Sequence, residues 1–137
     1  MAASDEARRF LQKASQDEYV LARLLEDPAA PDEQLGFHAQ QAVEKLLKAA
    51  LFLVGGQPPR THHLAQLEAL LAVAGQPLPT PFQALLDLTP FAVQWRYEDD
   101  PGPPMTVEER RSLLADIQRL RKWAEGLLPP ERLPNEE

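Results

Sequence analysis

The sequence predicts an all-α fold, an antiparallel four-helix up-and-down bundle with one additional short helix, and three observations carry that prediction. First, 44% of the residues are hydrophobic but only 7% are aromatic. The core is therefore built from Leu and Ala, which suits packed helices better than a sheet rich in β-branched and aromatic side chains. Second, apolar residues recur at three- and four-residue steps and nowhere alternate as a strand requires. Third, the 14 prolines fall mostly between the periodic segments, where they stop helices and stiffen connections.

The elements follow in order. A first helix is predicted over about 4–26, with Ala7, Phe10, Leu11, Ala14, Leu21, Leu24 and Leu25 at helical spacing and Asp27-Pro28 as its stop. Asp17 interrupts this stripe, as a carboxylate paired with a basic residue or as an exposed position where the face drifts. Asp32 is the expected N-cap of a second helix, which ends at Gly55-Gly56 before Pro58-Pro59. Thr61 is expected to cap a third helix reaching about Ala74, closed by Gly75. Thr80, Pro81 and Gln83 combine a cap, a proline in the first turn and a reciprocal capping partner, and so predict a fourth helix. Pro90 is expected to kink or divide it near Thr89, turning 91–97 in a new direction. Beyond an irregular loop at 100–104, Thr106 and Glu109 form a capping box that opens a last helix to about 128, with Leu113, Ile117, Leu120, Ala124 and Leu127 on its inner face.

At 137 residues the chain fits one domain, expected over 1–128 with a frayed tail at 129–137. The absence of cysteine excludes a disulfide framework and thiolate zinc sites. No apolar run approaches a membrane span, and Met1 to Arg9 is charged where a signal peptide is apolar, so a cytoplasmic protein without membrane association is expected. A formal net charge of −7 argues against broad attraction to nucleic acid, while leaving room for a local basic pocket. The proline-rich connections fit a thermostable protein.

The second helix carries the most information. His38, Gln41, Lys45 and Lys48 share one face, with Gln40 and Glu44 on its shoulder, and apolar residues lie on both sides of this stripe. An ordinary surface helix has one broad polar face. So narrow a stripe reads either as a solvated edge covered by lysine stems or as a polar line held at an interface or cleft.

The run FHAQQAVEKLLKAALFLVGGQPPRTHHLAQL, from Phe37 to Leu67, resembles the HEPN domain, a small helical module named for nucleotide binding in higher eukaryotes and prokaryotes. The matching features are Gln40-Gln41-Ala42-x-Glu44-Lys45-x-x-Lys48, the glycine turn, Pro58-Pro59 and Thr61-His62-x-Leu64, with Arg96-Tyr97 further on. The resemblance extends over about residues 4–128. It favours the interface reading of the stripe, at the centre of a homodimer, with Lys45 and Lys48 supplying positive charge to a phosphate and Glu44 paired with one of them or with an arginine. The same resemblance makes Arg96 and Tyr97 candidate ligand contacts, a planar fork for phosphate and a ring or hydroxyl for a base. The alternative is an Arg96 bonded to Glu98, Asp99 or its own helix end. Many relatives continue Arg-Tyr-Pro-Asp, whereas this chain reads Arg96-Tyr97-Glu98-Asp99.

His62 and His63 stand at a helix start and are expected to serve the capping arrangement rather than to bind a ligand. Three histidines without a recognised spacing give no metal site. The nuclease branch of the family carries an arginine followed, after four to six residues, by a histidine. No arginine here precedes His38, His62 or His63 at that spacing, which removes the usual general acid or base of RNA cleavage. No residue is therefore expected to be catalytic, and no cofactor is expected beyond a nucleotide ligand. The resemblance implies a binding module that partners a minimal nucleotidyltransferase. Two alternatives stand beside it: a ribonuclease toxin of a toxin–antitoxin pair with a degenerate site of Arg96, Tyr97, His38 and the lysines, and a dimerisation module with no ligand.

Overall fold

The computed structural model describes residues 3–92 and 105–130. Among these there are five helices and no strand: α1 (Ala3–Leu25), α2 (Asp32–Leu53), α3 (Leu64–Val73), the 3₁₀ helix η1 (Thr80–Phe91) and α4 (Val107–Glu125). Helix α2 is the axis. It packs against every other helix, most extensively against α1, while α4 also rests on α1 and η1 on α3. Phe10 near the start of α1 meets Phe52 near the end of α2, at 5.7 Å between ring centroids, so the two helices run antiparallel.

The sequence of α2 explains its position. Leu35, Ala39, Ala42, Val43, Leu46, Leu47, Ala49, Ala50 and Leu51 are all buried and point in several directions around the helix. Alanines at Ala39, Ala42, Ala49 and Ala50 allow close helix approach, while the leucines fill the spaces between neighbours. Not one residue of α2 is fully exposed. Around it, Ala7, Leu11, Ala14 and Leu21 of α1, Leu64, Leu67 and Leu71 of α3, and Leu113, Ile117, Leu120 and Ala124 of α4 complete the core.

The helix ends show where local signals won or lost. Gly55 and Gly75 both adopt φ +88°, a left-handed conformation that glycine takes without a Cβ penalty. Each lets the next residue reach back into the helix, Gly56 N–H to Leu51 O at 2.8 Å and Gln76 N–H to Leu71 O at 2.9 Å. The capping box of Thr106 and Glu109 forms as expected.

Three expected caps are corrected. Pro31, not Asp32, occupies the N-cap of α2, and the Asp32 carboxylate instead takes Arg110 Nη1 at 2.9 Å and Met105 N–H at 3.0 Å. Arg110 also bonds the carbonyl of Ala30, so Asp32 serves a long-range clasp between the α1–α2 connection and α4. Helix α3 begins three residues after Thr61, with His63 as N-cap. Its first N–H, from Leu64, goes to Thr89 Oγ1 of η1 at 3.2 Å, a cap supplied across the fold. Thr80 and Gln83 make no capping box. Gln83 donates to Leu78 O, and the segment is a 3₁₀ helix that runs through Pro90 to Phe91 rather than a kinked α-helix. The tighter winding suits a segment whose buried residues, Phe82, Leu85, Leu88 and Phe91, are three apart.

Phe91 explains why Gly36 stands within α2: a Cβ on Gly36 would lie 2.2 Å from Phe91 Cδ1. Gly36→Ala is expected to lower stability by about 1–3 kcal/mol through overpacking, measured by urea denaturation. The penalty should shrink in a Phe91→Leu background, where the clashing ring is gone.

Candidate functional site

The polar stripe of α2 is held by two carboxylates, each of which takes one lysine and one histidine. Asp17, on α1 and 8% exposed, accepts from Lys45 Nζ at 2.5 Å through Oδ2 and from His38 Nδ1–H at 3.1 Å through Oδ1. Asp17 thus interrupts the apolar stripe of α1 because it is the partner of α2's polar residues. Glu44, 5% exposed, accepts from Lys48 Nζ at 2.9 Å through Oε2 and from His62 Nδ1–H at 2.8 Å through Oε1.

Gln40 completes the second group. Fully buried, it donates through Nε2 to Glu44 Oε1 at 3.1 Å and to the carbonyl of His62 at 3.0 Å, and its Oε1 accepts from Gln41 Nε2 at 2.7 Å. Its bonds tie the α2–α3 connection to the helix. The need for them is physical: a buried carboxylate or amide without partners costs several kcal/mol, and no buried side-chain polar atom is left unsatisfied among the described residues.

The sequence-predicted residues therefore divide into three sets. His38, Gln41, Glu44, Lys45 and Lys48 are brought together, joined by Asp17 and by His62, which leaves its expected capping role to bind Glu44. His63 stays apart: it is exposed and serves α3 through its backbone, its own N–H going to Thr61 Oγ1. Arg96 and Tyr97 lie outside the described residues.

Exposure decides what the assembled groups can do. Lys45 and Lys48 keep 23% and 11% of their side-chain surface, and His62 keeps 62%. An ammonium carries three N–H donors and each lysine makes one ion pair here, so further donors remain for a ligand at the surface. With its Nδ1–H committed to a carboxylate, each neutral imidazole presents Nε2 as an acceptor. Among the described residues no group of three His, Cys, Asp or Glu side chains could hold a metal ion.

A separate cleft of about 380 Å³ lies between η1 and α4. Its apolar floor includes Leu85, Leu88, Phe91 and Leu113, while Asp87, Glu109 and Asp116 line it with negative charge. It contains none of the predicted site residues and would repel an anion.

Besides the Arg110–Asp32 clasp, the ion pair of Arg121 with Glu18 was not foreseen from the sequence. Arg121 of α4 reaches Glu18 Oε2 through Nε at 2.8 Å and through Nη2 at 2.5 Å, and Nη2 also bonds the carbonyl of Leu11. Burial works against the Arg121 charge, but the hydrogen bonds and charge of Glu18, helped by Glu125, outweigh it and hold the guanidinium above its ordinary value. The adjacent acids Asp17 and Glu18 were the available signal: neighbouring residues on a helix face different elements, here α2 and α4.

The family model for the HEPN domain matches residues 5–127, nearly the whole chain. The protein belongs to the HEPN domain family. It matches no curated protein and no solved structure. Within this HEPN domain, the stretch that carried the resemblance is also the stretch whose polar side chains meet Asp17 and each other. Among the described residues, no helix is long and apolar enough to cross a membrane.

Replacing Glu44 should expose the dependence of this network on its central carboxylate. Glu44→Ala removes the acceptor shared by Gln40, Lys48 and His62 and leaves the largely buried Lys48 unpaired, with an expected loss of about 3 kcal/mol and faster amide exchange over 57–63. Glu44→Gln keeps an acceptor and should lose less. Denaturation and hydrogen-exchange measurements on both variants check this.

Proposed function

We propose that this HEPN domain is a cytoplasmic binding module, acting as a homodimer, that takes a nucleotide or the substrate of a minimal nucleotidyltransferase partner on the polar stripe of α2. The observation that carries the reading is the preorganised set of partly accessible donors, Lys45, Lys48 and Gln41, oriented from beneath by Asp17, Glu44 and Gln40. Donors fixed before a ligand arrives lose little entropy on binding. Phe37 and Phe52, half-buried residues at helical spacing from the lysines, provide apolar surface beside the stripe for a second copy of the chain. The transferase partner follows from family analogy.

A ribonuclease toxin is the second reading, favoured by the bond from His38 Nδ1–H to Asp17, which orients an imidazole as a general base requires. It requires growth arrest on expression, abolished by His38→Ala. A binding module requires no arrest.

Titration calorimetry with ATP, GTP and a short RNA tests the main reading, with light scattering for the oligomer. Saturable binding by a dimer, weakened at least about tenfold by Lys48→Glu and also weakened by Arg96→Ala, is the expected outcome. Absence of binding to all three ligands would leave a dimerisation module in its place.

A further inference from the structure

The stripe contains the same arrangement twice: lysine, carboxylate, histidine. Lys45–Asp17–His38 joins α2 to α1, and Lys48–Glu44–His62 joins α2 to the connection before α3. In each, the lysine balances the carboxylate's charge, and a histidine in its neutral form adds only a hydrogen bond. The two lysines and two carboxylates sum to zero, so with neutral histidines the site offers an oxoanion no net attraction. Each Nε2 lone pair is also an acceptor.

We propose that oxoanion binding at this site is switched on by protons, with His38 and His62 as the sensors, an inference that rests on the ligand-binding reading given above. Protonation of an imidazole beside its carboxylate makes the histidine a charged counter-ion. The carboxylate is then neutralised from the histidine side, and the lysine's charge becomes available to an incoming anion. Nε2 gains a proton at the same time and changes from acceptor to donor. With both histidines charged, the site moves from zero to +2 while its geometry is retained.

The surroundings are compatible with this exchange. Asp17 is the charged group that faces His38 from α1, with Lys45 across the same carboxylate. Glu44 and Lys48 face His62 from α2, and Arg60 and His63 on its own connection are exposed. From α4, Arg121 is paired with Glu18, and among the described residues α3 and η1 contribute no ion pair to either carboxylate. His38 keeps 19% of its side-chain surface against 62% for His62. The charge on His38 is therefore less screened by solvent and should carry the larger share of the effect.

Inorganic sulfate is a suitable probe because its own charge stays constant over the pH range in which imidazoles ordinarily titrate. The test is calorimetric titration of the intact protein with sodium sulfate at low ionic strength, at about pH 8 and about pH 5.5. Affinity should rise at least about tenfold at the lower pH. His38→Gln should remove most of that rise and His38→Gln/His62→Gln nearly all of it, while both variants keep the wild-type circular dichroism spectrum. Equal affinity at both pH values in the wild type, or an unchanged rise in the double variant, overturns the proton switch and leaves the ligand site standing. No sulfate binding at either pH, together with no nucleotide binding, overturns the switch and the ligand site together. If glutamine unfolds the chain, His38→Asn with His62→Gln supplies the second pair.

Discussion

The structure depends on the pairing of α2's charges within the chain. A helix with no fully exposed residue cannot leave lysines and carboxylates to water. Asp17 from α1 and Glu44 from α2 itself provide the opposite charges, and Gln40 consumes the remaining hydrogen-bonding capacity around Glu44. Because Asp17 reaches Lys45 and His38 at once, it fixes the rotation and the register of α1 on α2. The connection before α3 is fixed in the same way, through His62 and its carbonyl. The polar stripe thus does two things with one set of atoms: it locks the central hairpin, and it keeps the Lys45 and Lys48 ammonium groups partly accessible.

Around this axis α4 is held by two half-buried arginines, each bonding a carboxylate and a backbone carbonyl of another part of the chain. Arg121 joins α4 to the middle of α1, and Arg110 joins the start of α4 to the α1–α2 connection. A planar guanidinium can satisfy a carboxylate and a carbonyl together, which a lysine cannot do in one geometry. Lysines occupy the stripe, where a ligand could compete for them, and arginines occupy the clasps. That division supports a site on α1 and α2 and a structural role for α4.

Much of the fold was legible in the sequence because it follows from periodicity and backbone chemistry. Gly55 and Gly75 ended helices as glycine does, and the Thr106–Glu109 box opened α4. Two of the three missed caps share one cause: the groups are satisfied from a distance. Asp32 looks like an N-cap, but Arg110, 78 residues away, takes its carboxylate. Thr61 precedes α3, but Thr89, 25 residues beyond Leu64, bonds the helix's first N–H. The 3₁₀ winding of η1 was hidden because Thr80-Pro81-Gln83 is equally good at opening an α-helix. Of the site, the narrowness of the stripe revealed that its charges needed partners, and Asp17 stood out as an anomaly on α1. That the two belong together required the packing of α1 on α2. Glu18 was legible only through its adjacency to Asp17, because neighbouring residues on a helix face different elements.

The central claim is that Asp17 and Lys45 interact directly and that this interaction helps set α1 against α2. A double-mutant cycle on unfolding free energy, with Asp17→Asn, Lys45→Met and the double variant, measures that interaction apart from the cost of each change. A coupling of about 1 kcal/mol or more in favour of the pair is expected. Additive losses, with a coupling near zero, would mean that the carboxylate and the ammonium are independent, and the account of α2 as a helix neutralised within its own chain would be wrong.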